Sequence, residues 1–590
     1  MPVDLGLYSE PYGTTGNIGE NFLRLLGTPS ADPLQTVVRE AVQNIADAAK
    51  LGQGPEILIR LRRLGESERG CMRDHVLAEI PEEESSRRKF EDFLNSEEQI
   101  VLEICDFGTT GLGGPTRADR IPVGTRRTDF INFLRNIGTP RDTEHGGGTY
   151  GFGKASLYAA SKCRTILVDT LIGYADENER RLIACHIGAR HEVVENGYMK
   201  QFTGRHWWGV ADPSDGVADP AVGPCAEELA EALGLPARNA SRSGTSIMIL
   251  DFNTEGEDLR TVGNRIVEGL LYSFWPRMMK DASADKRFTC RVEVDGEQLE
   301  IPDPEGFPPL HLFCRAMRKA RKQEGDGTER IFSERPAKDL GWLAIEKGLR
   351  SARQPLVHDD SLFSQTSRHI ALMRPVQLVV KYLEGTALPD ERLEWAGVFL
   401  ASDEDEVERA FALSEPPAHD DWIPGNLEKG HAKTFVKVAL RKLETRAAEI
   451  GMPTSSGSNR NGEAPLLRGF QGCSVPHSKA RPAKGLVDHV RALAAAEGGG
   501  QTGTCAHHET GLRQTGEQEW NEGRHFLDRG AAGCGGQRSE VAGLSGSGAR
   551  RIGDPSDRPV DGRSSGHRDP RPRWKWVGGQ RPVPARRGRR

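Results

Sequence analysis

The chain has 590 residues, room for three or four domains at about 150 residues each. Hydrophobic residues make up 36% and charged residues 28%, and no run approaches the ~18 uninterrupted apolar residues of a spanning helix, which excludes a chain lacking a core and argues against a membrane span. The net charge of −6 is unevenly spread: residues 451–590 hold 23 Lys+Arg against 13 Asp+Glu, a balance of +10, so the front is acidic and the back basic.

The N-terminal "MPVDLGLYSEPYG" lacks the basic and apolar regions of a signal peptide, and a cytoplasmic protein without membrane partners is expected. The ten Cys are scattered without a CxxC pair, as expected for small buried hydrophobes rather than disulfides or metal ligands. "CAHH" (Cys505 to His508) is the one cluster that resembles a metal site, and it has no second ligand pair at zinc spacing.

Residues 1–255 alternate helical and strand patterns. "REAVQNIADAAK" (Arg39 to Lys50) reads as a helix. At 100° per residue, Val38, Val42, Ile45 and Ala49 fall on one side, and Glu40, Asn44 and Asp47 cluster on the other. An ordinary amphipathic helix explains this. So does a general base beside a metal-binding amide, and the spacing alone does not choose. "EILIRLRRL" and "QIVLEICDF" have strand character, as do "TILVDT", "LIACHIGA" and "TSIMILDF". "EEESSRRKFEDFLN" and "FINFLRNIG" read as helical, which makes the region an α+β mixture on one sheet.

Three further stretches carry Gly in special places. In "CDFGTTGLGG" (Cys105 to Gly114) an Asp and several Gly follow a strand; the carboxylate could accept from an exocyclic amine, and the Gly would let backbone approach a flat ligand. In "HGGGTYGFGKASLYAAS" (His145 to Ser161) a Gly run and Lys154 precede a helix, an arrangement of N–H groups and ammonium that can cradle phosphate. It is not a P-loop, since Ala155 follows the Lys. "SGTSIMILDF" (Ser243 to Phe252) places a Gly-Thr pair at the entry of a strand.

Residues 256–450 read as a second α/β region. It opens with the amphipathic "RIVEGLLYSFWPRMM", continues with a hairpin turning at Asp295-Gly296, and adds strand-rich "HIALMRPVQLVVKYLEG" and "LEWAGVFLAS". It closes in the helix "HAKTFVKVALRKLETRAAEIG", stopped by Gly451. From there the texture changes: residues 451–590 have no Tyr, one Ile, 20 Arg against 3 Lys, and 26 of the 68 Gly. Such a segment buries too little apolar surface to offset chain entropy and is expected to be a disordered basic tail. An out-of-frame translation of a GC-rich gene would give the same composition.

Each motif alone is weak. In order, "ExxxNxxDA" in a helix, an Asp-and-Gly stretch after a strand, "GGGxxGxGK" before a helix and "GT" into a strand resemble the GHKL ATPases over about residues 30–255. That superfamily includes gyrase, the heat-shock ninety-class chaperones, histidine kinases and MutL proteins. The resemblance implies a Bergerat-fold α/β sandwich that binds ATP with Mg²⁺, followed by a transducer-like domain. By the same resemblance Glu40 would activate the attacking water and Asn44 would bind Mg²⁺. Asp47 and Ala48 would line the pocket, Asp106 would read adenine, and Gly108 and Gly111 would shape its surroundings. Gly148, Gly151, Gly153 and Lys154 would form the phosphate lid, and Thr245 would lie near adenine. The adenine motif is one residue longer than the family's DxGxG, which bears most on Gly111. A basic residue of the second region often reaches the γ-phosphate in such proteins; Lys381 is the first candidate here and Arg374 the second. The 38 residues before Arg39 contain no His, so no phosphoacceptor helix of a kinase is expected there, and the tail has no Tyr for a DNA-cleaving domain. The expectation is slow ATP hydrolysis driving a lid or homodimer switch on a protein or nucleic-acid client. The alternative is a nucleotide-sensing scaffold without turnover.

Overall fold

Period-two runs of Val, Ile and Leu generate the strands, and alternate residues of each strand serve opposite faces of one sheet. In chain order the strands are β1 (Gly6–Pro11), β2 (Glu56–Arg63), β3 (Ile100–Phe107), β4 (Thr165–Leu171), β5 (Arg180–Ile187), β6 (His191–Glu195), β7 (Tyr198–Ala211), the two-residue β8 (Ala218–Asp219) and β9 (Ala221–Val222), β10 (Gly244–Leu250), β11 (Thr289–Val294) and β12 (Glu297–Leu299). The computed structural model describes residues 2–13, 32–50, 54–136, 153–174, 177–357, 361–416 and 418–452, and these pack as one unit. Twelve strands form the first sheet, its main path running β1-β7-β5-β4-β10-β3-β2-β11-β12. Neighbours on this path are antiparallel except β2 and β11, which are parallel in the register Ile57↔Cys290 to Leu61↔Val294. The sheet therefore draws on residues beyond 255. Its last hairpin turns at Asp295-Gly296, both with positive φ, as a type I′ turn requires.

Helices cover both faces. On one, α1 (Pro33–Asp47) lies over β2, β3, β4 and β10. Asp32 caps it by accepting from the Leu34 amide at 2.9 Å, and Pro33 follows at the first helical position, where its missing N–H costs nothing. Leu34, Val37, Val38, Ala41, Val42 and Ile45 pack with Ile57, Ile59, Ile104, Val168 and Ile249. Each fully buried Val, Leu or Ile of that stripe stabilises the docking by roughly 1.5–3 kcal/mol. After α2 (Glu66–Cys71), α3 (Glu84–Asn95) packs on the opposite face, where Phe90 and Phe93 meet Val101, Leu167, Leu182 and Met248. Next come α4 (Gly153–Ala159), α5 (Pro224–Ala232) on that opposite face, and the twenty-residue α6 (Leu259–Met278) beside α1. "FINFLRNIG", read as helical, forms a five-residue π-turn at Ile131–Arg135.

A second sheet follows α7 (Leu310–Lys322). Its strands β13 (Thr328–Glu334), β14 (Ala337–Leu349), β15 (Arg368–Met373), β16 (Val379–Glu384) and β17 (Leu393–Ala401) are ordered β13-β14-β17-β15-β16. α8 (Asp405–Ser414) and α9 (His431–Glu449) pack against it through Phe411, Phe435, Val436 and Leu443. The described residues thus form a mixed α/β structure with two sheets. None of their helices is long and apolar enough to cross a membrane. The segment from residue 453 onward, with the CAHH cluster and the basic tail, lies outside the described residues.

Candidate functional site

The pocket lies where the end of α1 meets the ends of β3 and β10. It is lined by Ala41, Asn44, Ile45 and Ala48 of the helix, Ile104 and Asp106 of β3, Thr109, Gly111 and Leu112 of the following loop, Thr245 and Ile247 of β10, and Phe133 and Leu157. Helix and loop are joined by backbone bonds: the Thr110 amide donates to the Ala48 carbonyl at 3.1 Å, and the Lys50 amide to Gly108 at 3.4 Å. Two stretches separated by some sixty residues of sequence are thereby held as one wall.

Asp106 sits at the buried end of this wall. Its Oδ1 accepts from the Thr109 hydroxyl and from the Thr245 amide (3.2 Å). Both bonds end on Oδ1, which leaves Oδ2 as the acceptor for a ligand donor among the described residues. Behind it, the buried Arg238 donates to the Asp106 carbonyl at 2.9 Å and to Ser246 Oγ at 2.7 Å. Burial pushes the Asp106 carboxyl above its usual range, and the Arg238 charge and the bonds from Thr109 and Thr245 oppose that rise. The Thr245 hydroxyl lies 3.0 Å from that of Thr170, which also accepts from the Leu112 amide at 2.9 Å. Two Gly make this packing feasible. Gly111 has φ +67, and a Cβ there would stand 2.5 Å from the Leu171 carbonyl oxygen; the longer loop still brings Gly111 into the lining. Gly244 has φ +143, and a Cβ there would overlap Asp106 itself.

Glu40, one turn before Asn44 on α1, is not among the residues that line the pocket. The helical wheel placed it on a polar face, yet it is only 6% exposed. Its Oε1 is buried and has no hydrogen-bond partner among the described residues. Burial raises the Glu40 carboxyl above its usual range; His419 and Arg39 oppose that rise, and Glu415 and Asp47 add to it. Asn44, one turn on, is half-buried and donates its Nδ2 to the Glu40 carbonyl at 2.8 Å. Asp47, at the helix end, is exposed and is not part of the lining, whereas Ala48 is. The neighbour of Glu40, Arg39, is tied to the second region. Arg39 donates to the carbonyl of His419 and to those of Val379 (2.9 Å) and Val380 (3.4 Å).

The remaining expected residues are placed differently. Gly148 and Gly151 lie outside the described residues, and Gly153 opens α4. Lys154 is buried, and its ammonium donates to the carbonyls of Asn132 and Asn136 at the end of the π-turn. Lys381, on β16, is paired with Asp421 at 2.6 Å and is 40% exposed. Arg374 is buried against Glu415 at 2.7 Å. Sequence reasoning missed Arg238, Thr109 and Thr170 around Asp106, and Arg39, Glu415 and His419 around Glu40. Thr109 and Arg39 adjoin recognised motifs; the others are far along the chain, with no local pattern to mark them. Among the described residues no group of three or more His, Cys, Asp or Glu side chains forms a metal-binding cluster.

No protein-family model matches the chain, and no curated protein sequence is significantly similar to it.

Proposed function

We propose that this protein is a GHKL-type ATPase with a Bergerat-fold nucleotide domain, and that it binds ATP with Mg²⁺ and hydrolyses it slowly. The observation that carries this reading is the pairing, on one helix, of a buried carboxylate whose Oε1 has no partner with an amide one turn further along, beside a largely apolar pocket ending in an Asp with an acceptor to spare. An unpartnered buried carboxylate oxygen costs stability unless something occupies it in use, and a water in line with a phosphoryl group suits it.

The residues fit the nucleotide in three places. Asp106 Oδ2 would accept from the adenine amine, a donor that a thymine-like or guanine edge does not present at that point. Ala41, Ile45, Ile104, Leu112 and Ile247 offer apolar contact to a flat base. Asn44 would hold Mg²⁺ through its side-chain oxygen, a sparse protein contribution that suits an ion otherwise ligated by phosphates and water. When bound, the ion would stabilise charge on the phosphoryl oxygens. Glu40 would take a proton from the attacking water as its oxygen bonds to the γ-phosphorus; the bond to the β,γ-bridging oxygen breaks, leaving ADP and phosphate. In this arrangement the Lys154 and Lys381 ammonium groups are engaged by carbonyl and carboxylate partners, so either would have to leave its partner to reach a phosphate. The conformational output we propose is closure of the Gly-rich lid and association of two protomers around ATP, acting on a protein or nucleic-acid client. Such conformational steps commonly limit turnover.

The test is Glu40→Ala. It should retain ATP binding and lose Mg²⁺-dependent turnover by ~10²-fold or more. Light scattering of this variant in ATP should show a dimer. Binding of ATP by the wild type with no turnover would favour the scaffold alternative, and no binding would remove the nucleotide reading altogether.

A further inference from the structure

The loop after β3 sets two Thr side by side, and their hydroxyls go to different places. Thr110 is half-buried, and its hydroxyl donates to the Gly111 carbonyl at 3.4 Å. Thr109 is 1% exposed, lines the pocket and donates its hydroxyl to Asp106 Oδ1. The backbone that carries this hydroxyl is held on two sides. The Ser243 hydroxyl donates to the Thr109 carbonyl at 2.7 Å, and the Thr109 amide donates to the Ser243 carbonyl at 3.4 Å. A β-bridge pairs Thr109 with Ala49, just past the end of α1. The second donor on Oδ1 is equally fixed. The Thr245 amide belongs to the Gly244–Thr245 peptide, whose carbonyl accepts from the Thr170 hydroxyl at 3.2 Å. A Cβ at Gly244 would stand 2.3 Å from Oδ1 and 2.9 Å from the Thr109 hydroxyl oxygen, so these groups meet in close contact. Arg238, the charged group behind Asp106, donates to its backbone carbonyl, and that bond does not choose between the carboxylate oxygens.

We infer that Thr109 is a positioning residue for Asp106: its hydroxyl fixes Oδ1 as the occupied oxygen, presents Oδ2 to the pocket as an acceptor, and so makes the site selective for a ring that carries an exocyclic amine. The inference rests on the nucleotide reading and deepens it, since it assigns base selectivity to one hydroxyl. The last torsion of an Asp side chain is broad, so a carboxylate held by one donor can turn. Burial also favours the protonated acid, which would offer a donor where the amine needs an acceptor. Two donors on Oδ1 oppose both changes, because they pin the plane of the group and favour its ionised form. With the hydroxyl gone, the Thr245 amide is the donor left on Oδ1 among the described residues. A ring edge with a carbonyl in place of the amine would meet acceptor against acceptor, and the same fixed Oδ2 would reject it.

The experiment uses the full-length protein and calorimetric titration with two probes: ADP, and purine riboside 5′-diphosphate, which has the same ring and phosphates without the amine. Wild type should prefer ADP by ~10-fold or more, since the analogue leaves Oδ2 unpaired. Thr109→Val, close in shape and lacking the O–H, should narrow the preference to about threefold or less, through weaker ADP binding, with analogue affinity within about threefold of wild type. Thr109→Ala should do the same with less bulk beside Oδ1. Thr109→Ser keeps the hydroxyl and should retain the wild-type preference. A wild-type preference in both Val and Ala variants overturns the inference. So does an equal loss of affinity for the two probes, the mark of a structural role, and so does loss of the preference in Thr109→Ser. A wild type that binds the two probes equally removes the amine reading of Asp106 and the inference with it, and one that binds neither removes the nucleotide reading. Both of those results are distinct, because they are seen without any variant.

Discussion

The surroundings of Asp106 and of Glu40 are built on different plans. At the Asp106 end every contact comes from residues 1–255: a strand end, its loop, the next strand and one buried Arg, locked by hydrogen bonds between groups of fixed geometry. At Glu40 the helix supplies the carboxylate, and the adjoining Arg39 is bonded to the carbonyls of Val379, Val380 and His419 in the second region. The first set of bonds stays within the first sheet and its loops. The second joins two sheets through the Arg39 grip and a buried charge network, so its geometry depends on how those sheets sit. On the proposed reading, a site made this way would separate holding a ligand from acting on it.

The largest expected effect attacks the second end. Glu415→Gln removes one partner of a buried charge network and should lower stability by roughly 3–5 kcal/mol in denaturant unfolding at neutral pH. Burial opposes ionisation of Glu415, yet Arg374 and His419 outweigh it and hold the carboxyl below its usual value of 4.5. A depressed native value contributes stability that is full above the unfolded value and lost as pH falls through the native one. The gap between wild type and variant should therefore narrow only below about pH 4.5. A gap independent of pH would show that Glu415 is not ionised in the native protein.

Asp106→Asn tests the first end. An amide oriented to satisfy Thr109 and Thr245 turns a donor toward the ligand, so ATP affinity should fall by about 1–3 kcal/mol, roughly 5- to 150-fold, in calorimetric titration. Turnover of whatever ATP is bound should fall much less, and equal losses in both would erase the division between the two ends. Gly244→Ala strains the same end without changing a polar group. The Cβ would press on Asp106, so a loss of about 1–3 kcal/mol in stability is expected, with weaker nucleotide binding alongside. The smallest effect belongs to Lys381→Ala. Its exposed pair with Asp421 is worth about 0–1 kcal/mol, and turnover should change little. A hundredfold loss of turnover would instead return Lys381 to the γ-phosphate and show that the pair opens when nucleotide binds.

Much of the strand and helix order was legible in the sequence because it is set by local periodicity. The alternation in Glu56–Arg63 and Ile100–Phe107 and the apolar stripe of Val38, Val42 and Ile45 each need only neighbouring residues to read. Asp106, Gly111 and Thr245 were legible for a related reason: backbone bonds of a strand end and its loop hold them together, and those bonds follow from the strands. Glu40 was found for its spacing from Asn44 on the polar side of the helix, but a helical wheel cannot show that this carboxylate is buried. The pairing of Lys381 with Asp421, and of Lys154 with the carbonyls of the π-turn, likewise had no local signal. By itself the sequence determined which elements form and which of their ends carry polar groups, because those depend on side-chain period and backbone conformation. Only the tertiary structure decided which charges are buried and which cations are already paired, because those depend on contacts between elements, from Lys154 with Asn132, 22 positions apart, to Arg39 with His419, 380 positions apart.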